Sequence, residues 1–126
     1  MNRLHHVALG AEHVEKLAQF YEDVLGLKRL QTHRFENGSV RSVWLDLEPG
    51  VLMLEPAERS GEDLAPMQRG NGPFLLAFRF TPEERAALRD RLSAHGISLE
   101  GRTELTDYFR DLENNRIGLS SYPLKS

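Results

Sequence analysis

The sequence predicts an α+β protein made of two βαβββ modules, and three observations carry that reading. A strand-then-helix unit runs from Leu4 to Leu27, LHHVALGAEHVEKLAQFYEDVLGL. A near copy, FLLAFRFTPEERAALRDRLSAHGI, runs from Phe74 to Ile97. Each copy is followed by short segments broken at Gly, Pro and Asn, the punctuation of strands and hairpins.

In the first unit, Val7 and Leu9 alternate with His6, Ala8 and Gly10, so each set takes its own face of a strand. Val14, Leu17, Phe20 with Tyr21, and Val24 with Leu25 then recur at helical spacing as one apolar stripe. Gly26 suits the helix end, where a left-handed residue is often needed. In the copy, Phe74, Leu76, Phe78 and Phe80 alternate along a strand. Thr81-Pro82-Glu83-Glu84 is a helix start, with Thr81 as N-cap, proline at the first helical position and Glu84 closing a capping box. Leu88 and Leu92 carry the stripe and Gly96 stops it. Sliding the first unit by 69 residues places His6 on Leu75 and Ala8 on Ala77. A repeat seen only twice means paired modules rather than a solenoid, which needs at least three units.

The 126 residues suit one domain or two small modules sharing a core. With 16 basic and 19 acidic residues the net charge is −3, which disfavours nucleic acid or an anionic membrane as partner. Cysteine is absent, so disulfides, thiolate metal sites and cysteine nucleophiles are excluded. No stretch approaches the roughly 20 apolar residues of a membrane span, and no secretory leader is expected from the opening residues. The expected setting is cytoplasmic.

Further strands are expected over Leu27–Phe35, Val40–Glu48 and Val51–Glu55, with turns at Glu36–Ser39 and Pro49-Gly50. The charged, Gly- and Pro-rich stretch 57–72 reads as a linker between a first module at 4–56 and a second at 73–123, all within one domain at 1–126. In the second module, strands are expected over Ile97–Gly101, Leu105–Asp111 and Arg116–Tyr122. Helices would cover one face of each small sheet.

Three stretches carry a resemblance to a known family. The Leu4–Leu27 unit, with its Phe-Tyr pair and Leu-Gly-Leu ending, resembles the first strand and helix of the vicinal oxygen chelate superfamily, which includes glyoxalase I, extradiol dioxygenases, and fosfomycin- and bleomycin-resistance proteins. VLMLEP resembles its fourth strand and YFRDLENNRIGLSSYP its final hairpin. The resemblance implies curved mixed sheets forming a concave cleft, with helices on the outer face. It leaves the activity open, since one scaffold hosts unrelated chemistries.

Metal-dependent members are expected to carry ligands on the first and last strand of each module. Those positions fall on His6 and Glu55 in the first module, and on Leu75 and Gly118 in the second. Leucine and glycine offer no side-chain lone pair, and catalytic metal sites need about three protein ligands. The metal site is therefore read as lost, with no cofactor expected. His6 reads as a hydrogen-bonded groove histidine or, failing that, a metal ligand. Glu55 reads as the partner of Arg41, Arg79 or Arg110, or as a residue exposed at a strand end. His33, the other strand histidine, is the one candidate for rebuilding a site.

Strand parity adds candidate cleft residues. Ala8 is small and shares the face of His6, while Trp44 and Met53 would supply apolar wall. Leu75 and Arg79 share one face; Gly118, Ser120 and Tyr122 share another expected to point the same way. Tyr108 and Arg110 alternate with Phe109, and Tyr108 falls where resistance-protein relatives place an aromatic toward the ligand. An arginine in a groove clamps carboxylate or phosphate.

The reading that results is a glyoxalase- or bleomycin-resistance-like homodimer with a degenerate metal site, binding a small organic molecule in the dimer cleft. The alternative is a lyase or dioxygenase using a divalent metal such as Zn, Ni, Mn or Fe, held by His6, Glu55 and further ligands.

Overall fold

The computed structural model describes residues 3–57 and 75–123. The expected linker, apart from Ala57, and the start of the second copy at Phe74 lie outside the described residues. The chain divides into two compact units, Met1–Leu64 and Ala65–Ser126, and both are α+β.

Unit one contains β1 (His6–Ala11), α1 (Val14–Asp23), β2 (Arg29–Arg34), β3 (Val40–Asp46) and β4 (Val51–Pro56). Its sheet has the order β1-β4-β3-β2, with β1 parallel to β4 and the remaining pairs antiparallel. Register places Val7 beside Leu52 and Leu9 beside Leu54, and Leu45 beside Leu52 on the other side. Val43, Leu45, Leu52 and Leu54 are fully buried, as are Leu17, Ala18 and Tyr21 of α1 and Val24 at its C-cap. Each such large apolar side chain contributes about 1.5–3 kcal/mol when buried. That packing holds α1 in place, since His13 at its N-cap makes no side-chain capping hydrogen bond.

Unit two contains β5 (Leu76–Arg79), α2 (Pro82–Ala94), β6 (Gly101–Arg102), β7 (Thr106–Arg110) and β8 (Arg116–Ser120). Its order, β5-β8-β7-β6, repeats the first sheet, again with one parallel pair, β5 with β8. The strand expected over Ile97–Gly101 is displaced: only Gly101 and Arg102 are extended. Ile97 is committed to the helix end instead, its N–H donating to the Leu92 carbonyl at 2.9 Å while Gly96 takes a φ of +74°. That is the Schellman arrangement, which consumes the residues a longer strand would need.

Helix α2 is secured differently from α1. Its capping box is complete, with the Thr81 hydroxyl accepting from the Glu84 N–H at 3.1 Å and the Glu84 carboxylate accepting from the Thr81 N–H at 2.9 Å. It buries only Leu88, Leu92 and Arg85. Arg85 reaches a fully buried Asp107 on β7: its Nε donates to Oδ2 at 3.2 Å, and Arg89 Nη1 donates to the same oxygen at 2.9 Å. Arg102 Nε stands 3.3 Å from Oδ1. Burial by itself would push the Asp107 carboxyl up, but the hydrogen bonds from Arg85 and Arg89 outweigh it and hold the group below the usual aspartate range.

Two outcomes follow for stability. A folded-state value below the unfolded one makes the Asp107 contribution complete at neutral pH and lost as pH falls through the folded value. Denaturant titrations should therefore show stability dropping below about pH 4. Asp107→Asn should cost about 3–5 kcal/mol at neutral pH by stranding buried Arg85, and should flatten the acid slope; an unchanged slope would refute the cluster's role. Phe20→Ala, in the α1 stripe, should cost about 3–5 kcal/mol, whereas His6→Ala at an exposed position should cost far less.

Candidate functional site

Sealing one face of each sheet under its helix leaves the opposite face for chemistry, and strand register decides what stands together there. On the open face of unit one, Ala8, Met53, Trp44 and Gln31 form one row across β1, β4, β3 and β2. Gly10 and Glu55 are paired in the next row, and His6 and Val51 in the row on the other side. His33 pairs with Ser42, one step along from Trp44.

Register does not bring His6 and Glu55 together. Glu55 lies beside Gly10, four residues along β1 from His6. At about 3.3 Å per residue their backbones are roughly 13 Å apart along the sheet, so the two side chains stand two rows apart rather than side by side. Met53, a non-coordinating apolar residue here, occupies the diagonal position nearer His6. His6 is exposed and its Nδ1 lies 2.9 Å from Nδ1 of His5. Among the described residues Glu55 has no ion pair: Arg110 is taken by Glu100, and Arg41 and Arg79 are exposed without a carboxylate partner. No group of three His, Cys, Asp or Glu able to hold a metal occurs among the described residues. Gly10 makes room for the chain itself, since a Cβ there would stand 2.7 Å from Ala57 Cβ.

The feature that sequence reasoning missed is the contact between His33 and Trp44. Their ring centroids are 4.8 Å apart, with planes inclined at 60°. The His33 Nε2 and Trp44 Nε1 atoms are both buried without a hydrogen-bond partner. Counting alternate residues back through the 36–39 turn would have found the pair, but irregular register at Arg29–Gln31 and His33–Arg34 defeats a simple count.

On the open face of unit two, Arg79, Ser120 and Thr106 form a row across β5, β8 and β7. Ala77, Gly118, Tyr108 and Gly101 form the next, followed by Arg116 beside Arg110. Leu75 leans over Gly118: a Cβ on Gly118 would lie 3.2 Å from Leu75 Cδ1 and 3.4 Å from Ala77 Cβ. Leucine and glycine thus form a complementary pair that fills the volume of a longer side chain. The Arg116 guanidinium sits 4.6 Å above the Tyr108 ring. Glu100 receives Arg110 Nε at 2.6 Å and Nη2 at 3.2 Å, and Arg116 Nε stands 3.5 Å away. The Arg110 hydrogen bonds hold the Glu100 carboxyl below its usual range. Tyr122 is exposed beyond the end of β8.

Two four-stranded mixed sheets, each of order 1-4-3-2 with one covering helix, define a paired βαβββ protein. The chain belongs to the Glyoxalase/Bleomycin resistance protein/Dioxygenase superfamily, whose family description matches residues 3–117. No curated protein matches the chain in sequence. Among solved structures it is similar to a variant of the fosfomycin resistance protein FosX from Listeria monocytogenes, complexed with Mn(II) and a dihydroxypropylphosphonic acid. That similarity has a TM-score of 0.76 at 16% identity, over 98% of this chain and 95% of that one. FosX from Mesorhizobium loti gives a TM-score of 0.75 at 16% identity, over 98% and 94%. A glyoxalase-like protein from Bacillus halodurans gives 0.74 at 18%, over 93% of each chain. Identities this low establish the fold alone.

Gly118→Glu should destabilise the protein by about 1–3 kcal/mol through overpacking against Leu75, and Leu75→Ala in the same chain should recover part of the loss. Equal stability of Gly118→Glu and the parent in urea titrations would show the space to be open.

Proposed function

We propose that this protein binds a small organic molecule against the open sheet faces, with the family's metal site degenerate. The observation that carries the reading is the His33–Trp44 pair. An indole N–H can only donate, and a buried donor left unpaired costs about 1–3 kcal/mol. A carbonyl or similar acceptor on a ligand would relieve that cost. Both rings are only half-buried, so a side-chain rotation turns their nitrogens outward. Ala8 and Met53 lie alongside as an apolar surface, matching the mix of apolar wall and few polar groups that small-molecule sites use.

Degeneracy of the metal site is supported by the Leu75–Gly118 packing and by the separation of His6 from Glu55. A FosX relative carries Mn(II) together with a phosphonic acid; the proposal retains the small-molecule half of that pairing. The functional form is proposed to be a homodimer, so light scattering should give about twice the chain mass of 14.4 kDa, and a species that stays at one chain mass would contradict it.

Trp44 is the only tryptophan, so its emission reports on this face alone. Titration with small aryl amides and ketones, benzamide first, should shift that emission, and His33→Leu should weaken binding roughly tenfold. Adding Zn or Mn should leave the melting temperature unchanged, since a ligand of the native state would raise it. No emission response across the panel would overturn the proposal.

A further inference from the structure

On the open face of unit one, a buried donor stands next to a side chain that oxidation would turn into an acceptor. Trp44 Nε1 is buried and has no hydrogen-bond partner. An indole N–H can only donate, so nothing but an acceptor relieves it. Register sets Met53 of β4 directly beside Trp44 of β3, on the same face. Side chains paired in this way have Cβ atoms roughly 4.5–5.5 Å apart, and the unbranched methionine side chain adapts its reach through three rotatable bonds. Its thioether sulfur is a weak acceptor and makes no hydrogen bond to the indole. Gln31, on the other flank of Trp44, is exposed and leaves the indole unpaired as well. Met53 is half-buried, whereas its strand neighbours Leu52 and Leu54 are fully buried, so among these three it is the one open to a small reagent.

From this geometry we propose that Met53 is a site of reversible oxidation whose sulfoxide oxygen accepts the Trp44 indole N–H. The oxidant class is a hydroperoxide. Its O–O bond breaks as one oxygen passes to sulfur; the sulfur is oxidised by two electrons, and the peroxide is reduced to water or an alcohol. The new oxygen is a polar acceptor standing one bond beyond the sulfur. In an apolar core this change disrupts packing. Beside Trp44 the same step supplies the acceptor that a buried donor lacks. The hydrogen bond needs only Met53 and Trp44. Its consequence for binding rests on the function proposed above: the sulfoxide occupies the donor that a ligand carbonyl would use, so oxidation weakens that binding.

The test treats the nitrogen-15-labelled protein with hydrogen peroxide and follows two readouts. Fragment-ion mass spectrometry should place one added oxygen on Met53, with Trp44 unmodified. Trp44 is the only tryptophan, so the protein has a single indole N–H resonance. That resonance should move downfield, and its exchange with solvent should slow roughly fivefold, the change expected of one net hydrogen bond. Met53→Leu, close to volume-conserving, should abolish both resonance effects, and methionine sulfoxide reductases should reverse them in the parent. Met53 left unmodified while Met1 and Met67 are fully oxidised would overturn the site. So would Met53 sulfoxide with an unmoved indole resonance, or the same movement in peroxide-treated Met53→Leu. Benzamide titration of the reduced and oxidised protein reads the consequence, with binding weakened roughly tenfold after oxidation. Absence of benzamide binding to the reduced protein, or equal binding to both forms with the indole resonance moved, sinks the His33–Trp44 ligand reading alone, because the indole readout needs no ligand.

Discussion

Each sheet in this protein has two faces and one helix. Burial of one face under that helix is the constraint on which the rest depends. Side chains alternate along a strand with period two, so once Leu52, Leu54, Val43 and Leu45 are committed to α1, residues Met53, Trp44 and Ala8 are committed to the opposite side. The same rule in the second unit sends Phe109, Ile117 and Leu119 toward α2, and sends Tyr108, Gly118 and Ser120 away from it. Candidate chemistry is therefore a by-product of core formation: a slip of one residue in either sheet would exchange site and core.

The two units reach the same topology by different balances of force. Helix α1 is an apolar stripe pressed on apolar strands, with a weak cap. Helix α2 has few buried apolar residues and relies on a capping box and on arginines gathered around buried Asp107. Breaking a buried pair of this kind is costly even when forming it contributes little net stability, because the survivor is left charged in a dry environment. The second unit should accordingly be the more acid-sensitive of the two.

Much of the fold was legible in the sequence because it is written in local signals. The strand-helix repeat, the Thr81–Glu84 capping box and the glycines at 26 and 96 each correspond to an observed feature. The strand expected at Ile97–Gly101 was misplaced because a helix C-cap competes for the same residues, and that competition is settled by hydrogen bonds rather than by composition. Sites were less legible than elements. Parity set Ala8 on the face of His6 and offered Met53 as apolar wall, but it could not show which residues of β1 and β4 stand side by side, Ala8 with Met53 and Gly10 with Glu55, since that depends on the offset between the strands. The Asp107 cluster was invisible for a similar reason: an aspartate in a strand between polar neighbours reads as solvated until α2 is laid over it. His33 was noticed only as a spare metal ligand, and its contact with Trp44 emerges from a bulged hairpin that no fixed spacing describes.

The family to which the chain belongs takes its name from metal enzymes and from antibiotic-resistance proteins alike, so membership narrows the fold and leaves the chemistry to be settled by the residues. Here the second-module positions are Leu75 and Gly118, which offer no side-chain donor. The most direct measurement is native mass spectrometry combined with elemental analysis of protein purified without chelators. The account predicts no stoichiometric transition metal and, where a ligand is retained through purification, an added organic mass. One transition metal per chain, lost on substitution of His6, would contradict it.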